Sequence, residues 1–177
     1  EPLKAENIIN SFSYEELVTI FQNYGEERYS KSIAKKIVDN RPIFKTKELI
    51  KLIKDALPKQ NPIYIEKSIR KIFQAIRIEV NDELNELKKS LTSIKDVISK
   101  NGVIICISYH SLEDKIVKNF MSELTIGCTC DPSIAICVCN NVESFKFPNK
   151  KKYNPSDEEV EKNSRAKSAT LRYVIKL

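Results

Sequence analysis

The segment Ile107-Ser-Tyr-His-Ser-Leu-Glu-Asp-Lys-Ile-Val-Lys-Asn-Phe120 decides the fold, because it carries an apolar strand into a capped helix through the single histidine of the chain, His110. Upstream, Val103 to Ile107 is an apolar run rich in β-branched residues behind the turn pair Asn101-Gly102, which predicts a strand covered on both faces. Downstream, Ser111 and Asp114 have the spacing of a capping box with Ser111 at the N-cap. Leu112, Ile116, Phe120 and Leu124 then recur every four residues, with Val117 and Met121 beside them, predicting a helix with one apolar stripe. Tyr109, His110 and Ser111 therefore stand at the carboxyl end of a strand. In open α/β sheets ligands bind in that crevice.

Working outward toward the amino terminus, helices dominate. Ser13 and Glu16 form a capping box, Phe12 and Leu17 are spaced as a hydrophobic staple, and Gly25 is placed to end that helix in the left-handed conformation. A second helix is predicted from Glu27 to Val38, stopped by the stretch Asn40 to Pro42, and a third from Thr46 to just before Pro58. Beyond a linker from Pro58 to Pro62, apolar residues step by threes and fours from Ile69 to Ile98. That is one long helix, or two jointed near Asn81. Its first half also carries Gln74, Arg77 and Asn81 in one polar row. Such a row is ordinarily a solvated face, and its amide and guanidinium groups also suit a base or a phosphate.

Toward the carboxyl terminus, residues 127–141 read as an irregular Cys-rich stretch, followed by a basic loop with Lys146, Lys150, Lys151 and Lys152. Ser156 and Glu159 cap a short helical turn. Leu171, Tyr173, Ile175 and Leu177 alternate with Arg172, Val174 and Lys176, predicting a last strand at a sheet edge. Helices crowd the first half and strands appear only later, so the expected architecture is α/β. A helical subdomain over residues 1–67 is joined to the tail end of a sheet over residues 68–177.

At 177 residues the chain holds one good core, or a compact domain with a small appendage. Its net charge of +6 and pI near 9.0 favour a polyanionic partner such as RNA, although general use of Lys, Ile and Asn also raises the pI without one. No apolar run approaches the roughly 20 residues of a membrane span and no signal peptide is visible, so a cytoplasmic protein is expected. Only three glycines occur, Gly25, Gly102 and Gly127. None belongs to a Gly-rich phosphate loop. With Glu1-Pro2 at the start and Met121 as the single methionine, the chain reads as a piece of a longer one, with any cofactor-binding half upstream.

His110, Ser111, Glu113 and Asp114 invite comparison with a hydrolase triad. Triad members come from separate loops, no G-x-S-x-G elbow is present, and Ser111, Glu113 and Asp114 have ordinary roles at a helix start. His110 remains as a hydrogen-bond donor or proton acceptor at a cleft, or as a structural histidine. The cysteines Cys128, Cys130, Cys137 and Cys139 are the zinc candidates. Their C-x-C spacing departs from the C-x2-4-C of zinc motifs, so the expectation is a reduced loop without metal. In Asn163-Ser-Arg-Ala-Lys-Ser-Ala-Thr-Leu-Arg172, the basic residues Arg165, Lys167 and Arg172 suit phosphate contacts. A basic loop simply entering a strand is the plainer reading.

YGEERYSKSIAKKIV (Tyr24 to Val38), FQAIRIEVNDELNEL (Phe73 to Leu87), ISYHSLEDKIVKNF (Ile107 to Phe120), CTCDPSIAICVC (Cys128 to Cys139) and NSRAKSATLR (Asn163 to Arg172) together resemble one family. It comprises the S-adenosylmethionine-dependent methyltransferases that modify N4 of a cytidine in small-subunit ribosomal RNA. The resemblance runs along essentially the whole chain. It implies a partial class I, Rossmann-like methyltransferase sheet with a helical insertion, and S-adenosylmethionine as cofactor. Small-subunit ribosomal RNA or the 30S particle would be the partner. The family's Gly-rich cofactor loop, acidic ribose ligand and Asp-Leu-Gly motif have no counterpart here, so the cofactor site would lie largely outside this chain. By the same resemblance His110 and Ser111 border the cytidine pocket, Gln74, Arg77 and Asn81 shape it or brace the insertion, and Arg165 and Lys167 touch the RNA backbone. The alternative is a non-catalytic RNA-binding or ribosome-associated module. A zinc-stabilised interaction domain is a third.

Overall fold

The computed structural model describes residues 2–58, 61–130, 136, 139, 142–148 and 152–177. Cys137, Lys150 and Lys151 lie outside the described residues, as does part of the expected 58–62 linker. The chain divides into two compact units, Glu1–Glu83 and Leu84–Leu177. The long helix that closes the first unit buries Ile72, Ala75 and Ile76 in the helical core and stays with it until Asp82 turns the chain in the left-handed conformation, φ 49°.

The first unit contains α1 (Ala5–Ser11), α2 (Tyr14–Asn23), α3 (Ser30–Val38), α4 (Thr46–Ala56) and α5 (Pro62–Asn81). Ile8, Leu17, Phe21, Ile33, Ile37, Ile53 and Ile72 are its fully buried apolar centre. The Ser13 capping box forms as expected: Ser13 Oγ accepts from the Glu16 amide at 3.2 Å and the Glu16 carboxylate accepts from the Ser13 amide at 2.7 Å. The sequence reading missed α1, which is too short for a clear periodicity. Arg41 holds it, donating from Nε to Ile9 O and from a terminal nitrogen to Phe12 O, both at 2.6 Å.

Gly25 does not adopt the left-handed conformation; Glu26 does, at φ 48°. Glycine is needed at 25 for proximity instead, since a Cβ there would lie 2.7 Å from Phe21 O and 3.1 Å from Lys71 O. The second helix also starts later than expected, at Ser30. Glu27 is withdrawn into the interior, its carboxylate accepting from the Tyr29 amide at 3.0 Å.

The second unit contains α6 (Glu83–Val97, its first residue closing the first unit), β1 (Val103–Ser108), α7 (Ser111–Leu124), β2 (Phe145–Lys146), α8 (Asp157–Lys162), a 3-10 turn (Ser164–Ser168) and β3 (Thr170–Lys176). The strands form an antiparallel sheet in the order β1-β3-β2. Two expectations change here. The last strand is central rather than at an edge, because two-residue β2 takes the edge and anchors it through buried Phe145. The alternation of that strand also runs the other way. Arg172 and Val174 are the buried positions, while Leu171, Tyr173 and Ile175 are only partly covered.

The register explains the reversal. Ile104 faces Val174 and Cys106 faces Arg172 on one side, where Leu91, Val117, Met121 and Phe145 complete a core. On the other side Val103 faces Ile175, Ile105 faces Tyr173 and Ile107 faces Leu171. There Val103, Ile105 and Ile107 are 42%, 61% and 56% exposed, so β1 is covered on one face, not two. Among the described residues only β3 pairs with β1.

Candidate functional site

The carboxyl end of β1 builds a polar junction from local backbone demands. An α-helix entered directly from a strand leaves its first amides without partners, and acceptors must be found nearby. His110, not Ser111, is the N-cap of α7: its backbone is extended and its Nδ1 accepts from the Glu113 amide at 3.3 Å. With Nδ1 as acceptor, the neutral ring carries its proton on Nε2. Glu113 answers by accepting from the Tyr109 amide at 2.9 Å. Ser111 becomes the first helical residue rather than the cap, because imidazole supplies the acceptor one position earlier. The His110 side chain is almost buried, and Nε2 lies 3.3 Å from Glu113 Oε1. The direction is wrong for a hydrogen bond, so this donor has no hydrogen-bond partner.

Asp114 is not a capping residue either. Its carboxylate takes a two-point contact from Arg172, Nε to Oδ1 at 2.7 Å and a terminal nitrogen to Oδ2 at 2.9 Å. The Ser108 hydroxyl approaches Oδ1 at 3.4 Å. The hydrogen bonds and charge of Arg172 hold the Asp114 carboxyl below the usual range against the opposing effect of burial, and Asp114 in turn raises Arg172 through the same hydrogen bonds and its negative charge. Arg172 is thus a buried brace between β3 and α7 rather than a phosphate ligand. Sequence reading missed the pair because its members are far apart in the chain. The signal available was a charged residue alternating with apolar ones in a strand.

The antiparallel register sets Ser108 opposite Thr170, which brings the start of β3 and the turn before it to the same end of the sheet as His110. Lys152, Lys167, Ser168 and Thr170 line a cleft of about 460 Å³ there. Lys152 is close enough to lower Asp114 electrostatically. Arg165 is exposed on the same 3-10 turn, whose N-cap Asn163 accepts from the Arg165 amide at 3.2 Å.

The polar row of α5 belongs to the first unit. Arg77 makes a two-point contact with Glu83, at 2.8 and 3.0 Å, and Asn81 Nδ2 donates to the same carboxylate at 3.0 Å. Gln74, the third member, is partly buried. The Glu83 carboxylate therefore organises two of the three residues where the helix ends.

Among the described residues no cradle fits an adenosyl cofactor. The helix start at α7, the one entered straight from a strand, is filled by the His110 ring and the Glu113 carboxylate. Gly25 and Gly102 leave no room for a ligand either, since a Cβ at each would already lie 2.7 Å from a neighbouring atom, and neither follows a strand.

A small antiparallel sheet flanked by helices, with a polar strand-to-helix junction beside a cleft lined by Lys152, Lys167 and Asp157, defines a mixed α/β protein. The chain belongs to the MraW methylase family, whose model matches residues 1–177. It is 45% identical over 175 residues to the ribosomal RNA small subunit methyltransferase H of Halothermothrix orenii, covering 97% of this chain and 56% of the relative. The enzyme of the same name from Clostridium botulinum (strain Loch Maree / Type A3) is 44% identical, with 100% and 58% covered. That from Fusobacterium nucleatum is 42% identical, with 97% and 55% covered. The chain thus spans little more than half the length of these curated relatives. No described helix is long and apolar enough to cross a membrane.

Proposed function

We propose that this chain is the RNA-facing portion of an S-adenosylmethionine-dependent enzyme that methylates N4 of a cytidine in small-subunit ribosomal RNA. The cofactor is held chiefly by residues outside the chain. The observation that carries this reading is the register of β1 against β3, which sets the Lys152 and Lys167 cleft beside the His110 junction. Lysines grip phosphates without reading sequence, while a fixed donor and carboxylate nearby suit the edge of an unstacked base. Arg165 and Lys167 hold the RNA backbone. His110 and Ser111 border the base. Gln74, Arg77 and Asn81 belong to the helical insertion and shape its approach to RNA. What these residues contribute is orientation, which supplies a large part of any two-substrate rate.

The finer architecture follows the same reading. The sheet is the end portion of a class I methyltransferase sheet, and the remainder of that domain covers the apolar face of Val103, Ile105 and Ile107. The 30S particle is the natural partner.

The test is equilibrium binding of this chain to small-subunit ribosomal RNA over a range of salt. Each phosphate contact removed lowers the slope of log K against log salt by about 0.7–0.9. The Arg165→Ala, Lys167→Ala double variant is expected to flatten the slope accordingly. An unchanged slope would refute the placement of RNA on this turn. Calorimetry with S-adenosylmethionine is expected to give no binding to this chain alone, and micromolar binding would contradict the division of labour.

A further inference from the structure

We propose that Cys128, Cys130 and Cys139 hold a zinc ion, in a structural site independent of the methyltransferase reading. The C-x-C spacing argued against zinc, because zinc motifs ordinarily place two residues or more between paired ligands. Spacing along the chain is only a proxy for convergence in space. Here the three sulfur atoms all lie within 4.8 Å of one another, although Cys139 is distant from the other two in sequence.

Their separation has the scale of tetrahedral coordination. With zinc–sulfur bonds near 2.3 Å, two thiolates on one tetrahedral ion stand about 3.8 Å apart. Cys128 Sγ and Cys139 Sγ are 3.7 Å apart, and none of the three cysteines is in a disulfide. The Thr129 amide donates to Cys139 Sγ at 3.4 Å. Backbone N–H groups aimed at a sulfur stabilise its thiolate, which is the form that binds metal.

The local chain supports a closed site. Ser144 returns to the end of α7, its amide and its hydroxyl both donating to Leu124 O at 3.4 Å. The Leu177 amide donates in turn to Ser144 O at 3.0 Å. Leu124 before the cysteines and Ser144 after them are thereby held together, and an ion would add a tie among Cys128, Cys130 and Cys139. Cys106 makes a useful contrast: burial in β1 pushes its thiol up, which favours an inert, neutral sulfur. The fourth ligand is not imidazole, since the single histidine caps α7. Cys137 lies outside the described residues.

The experiment uses the whole chain purified under reducing conditions, without a polyhistidine tag, and read by elemental analysis. Cobalt(II) exchange supplies a second readout. The expected result is equimolar zinc and, after exchange, the intense visible absorption of tetrahedral cobalt thiolate. Cys128→Ser and Cys139→Ser variants should each lower zinc occupancy at least tenfold, with circular dichroism reporting whether helix content survives. Should those variants fail to fold, the metal content and cobalt spectrum of the unaltered chain still decide. Absence of both zinc and cobalt-thiolate absorption in the reduced chain would overturn the proposal. So would a Cys128–Cys139 disulfide in metal-free protein, or full zinc retention in a folded triple serine variant.

Discussion

The residue with the largest structural leverage is Arg172. A charge on the buried face of a strand is costly unless it is matched, and Asp114 supplies a matched two-point partner. Removing one partner strands the other, so Arg172→Ala is expected to lose about 3 kcal/mol in urea unfolding at neutral pH. The pH dependence has a definite sign. A carboxyl held below its ordinary value stabilises the fold fully above the unfolded pKa of about 4. That contribution disappears as pH falls through the lower folded value. Asp114→Asn should therefore show a stability deficit at pH 6 that narrows at acid pH, and a constant deficit would remove the ion pair from the account. At His110 two roles are separable. His110→Ala should cost about 1 kcal/mol through the lost cap, whereas His110→Asn keeps an acceptor for the Glu113 amide and should recover most of that stability. An RNA or methylation defect surviving in the asparagine variant would then belong to the ring itself.

At the scale of elements, Gly25 is a packing requirement between the end of α2 and α5. Gly25→Ala forces a methyl against two backbone carbonyls and should lower stability by about 1–3 kcal/mol. Thermal unfolding followed by circular dichroism measures it. Local signals were legible where one stretch of chain contains both partners. The Ser13 and Ser156 capping boxes, the α4 span, the break after Asn81 and the strand-to-helix step at His110 are all of this kind. Signals that depend on a distant partner were not. Which face of β3 is buried depends on Asp114, 58 residues away, whereas the cap of α7 is a local choice between neighbouring acceptors, which His110 Nδ1 takes one position ahead of Ser111. Convergence of the cysteines is likewise invisible in a spacing rule.

At the scale of the molecule, the face of Val103, Ile105 and Ile107 is an apolar surface on a chain of otherwise high charge. Contiguous apolar surface of this kind marks an interaction site. Ile105→Lys should reduce self-association of this chain in light scattering while leaving its unfolding midpoint nearly unchanged, since the side chain is mostly exposed. A large loss of stability would show that the face is already covered. On the proposed reading the remainder of a longer methyltransferase covers this face, and the same variant is expected to be harmful there. The most direct test of the account replaces the matching segment of the Halothermothrix orenii relative with this chain, then measures N4-methylcytidine in small-subunit ribosomal RNA by mass spectrometry. Methylation by the chimera is expected, and its loss, with cofactor binding retained, in the Arg165→Ala, Lys167→Ala form. A chimera that folds and binds S-adenosylmethionine yet leaves the RNA unmethylated would contradict it.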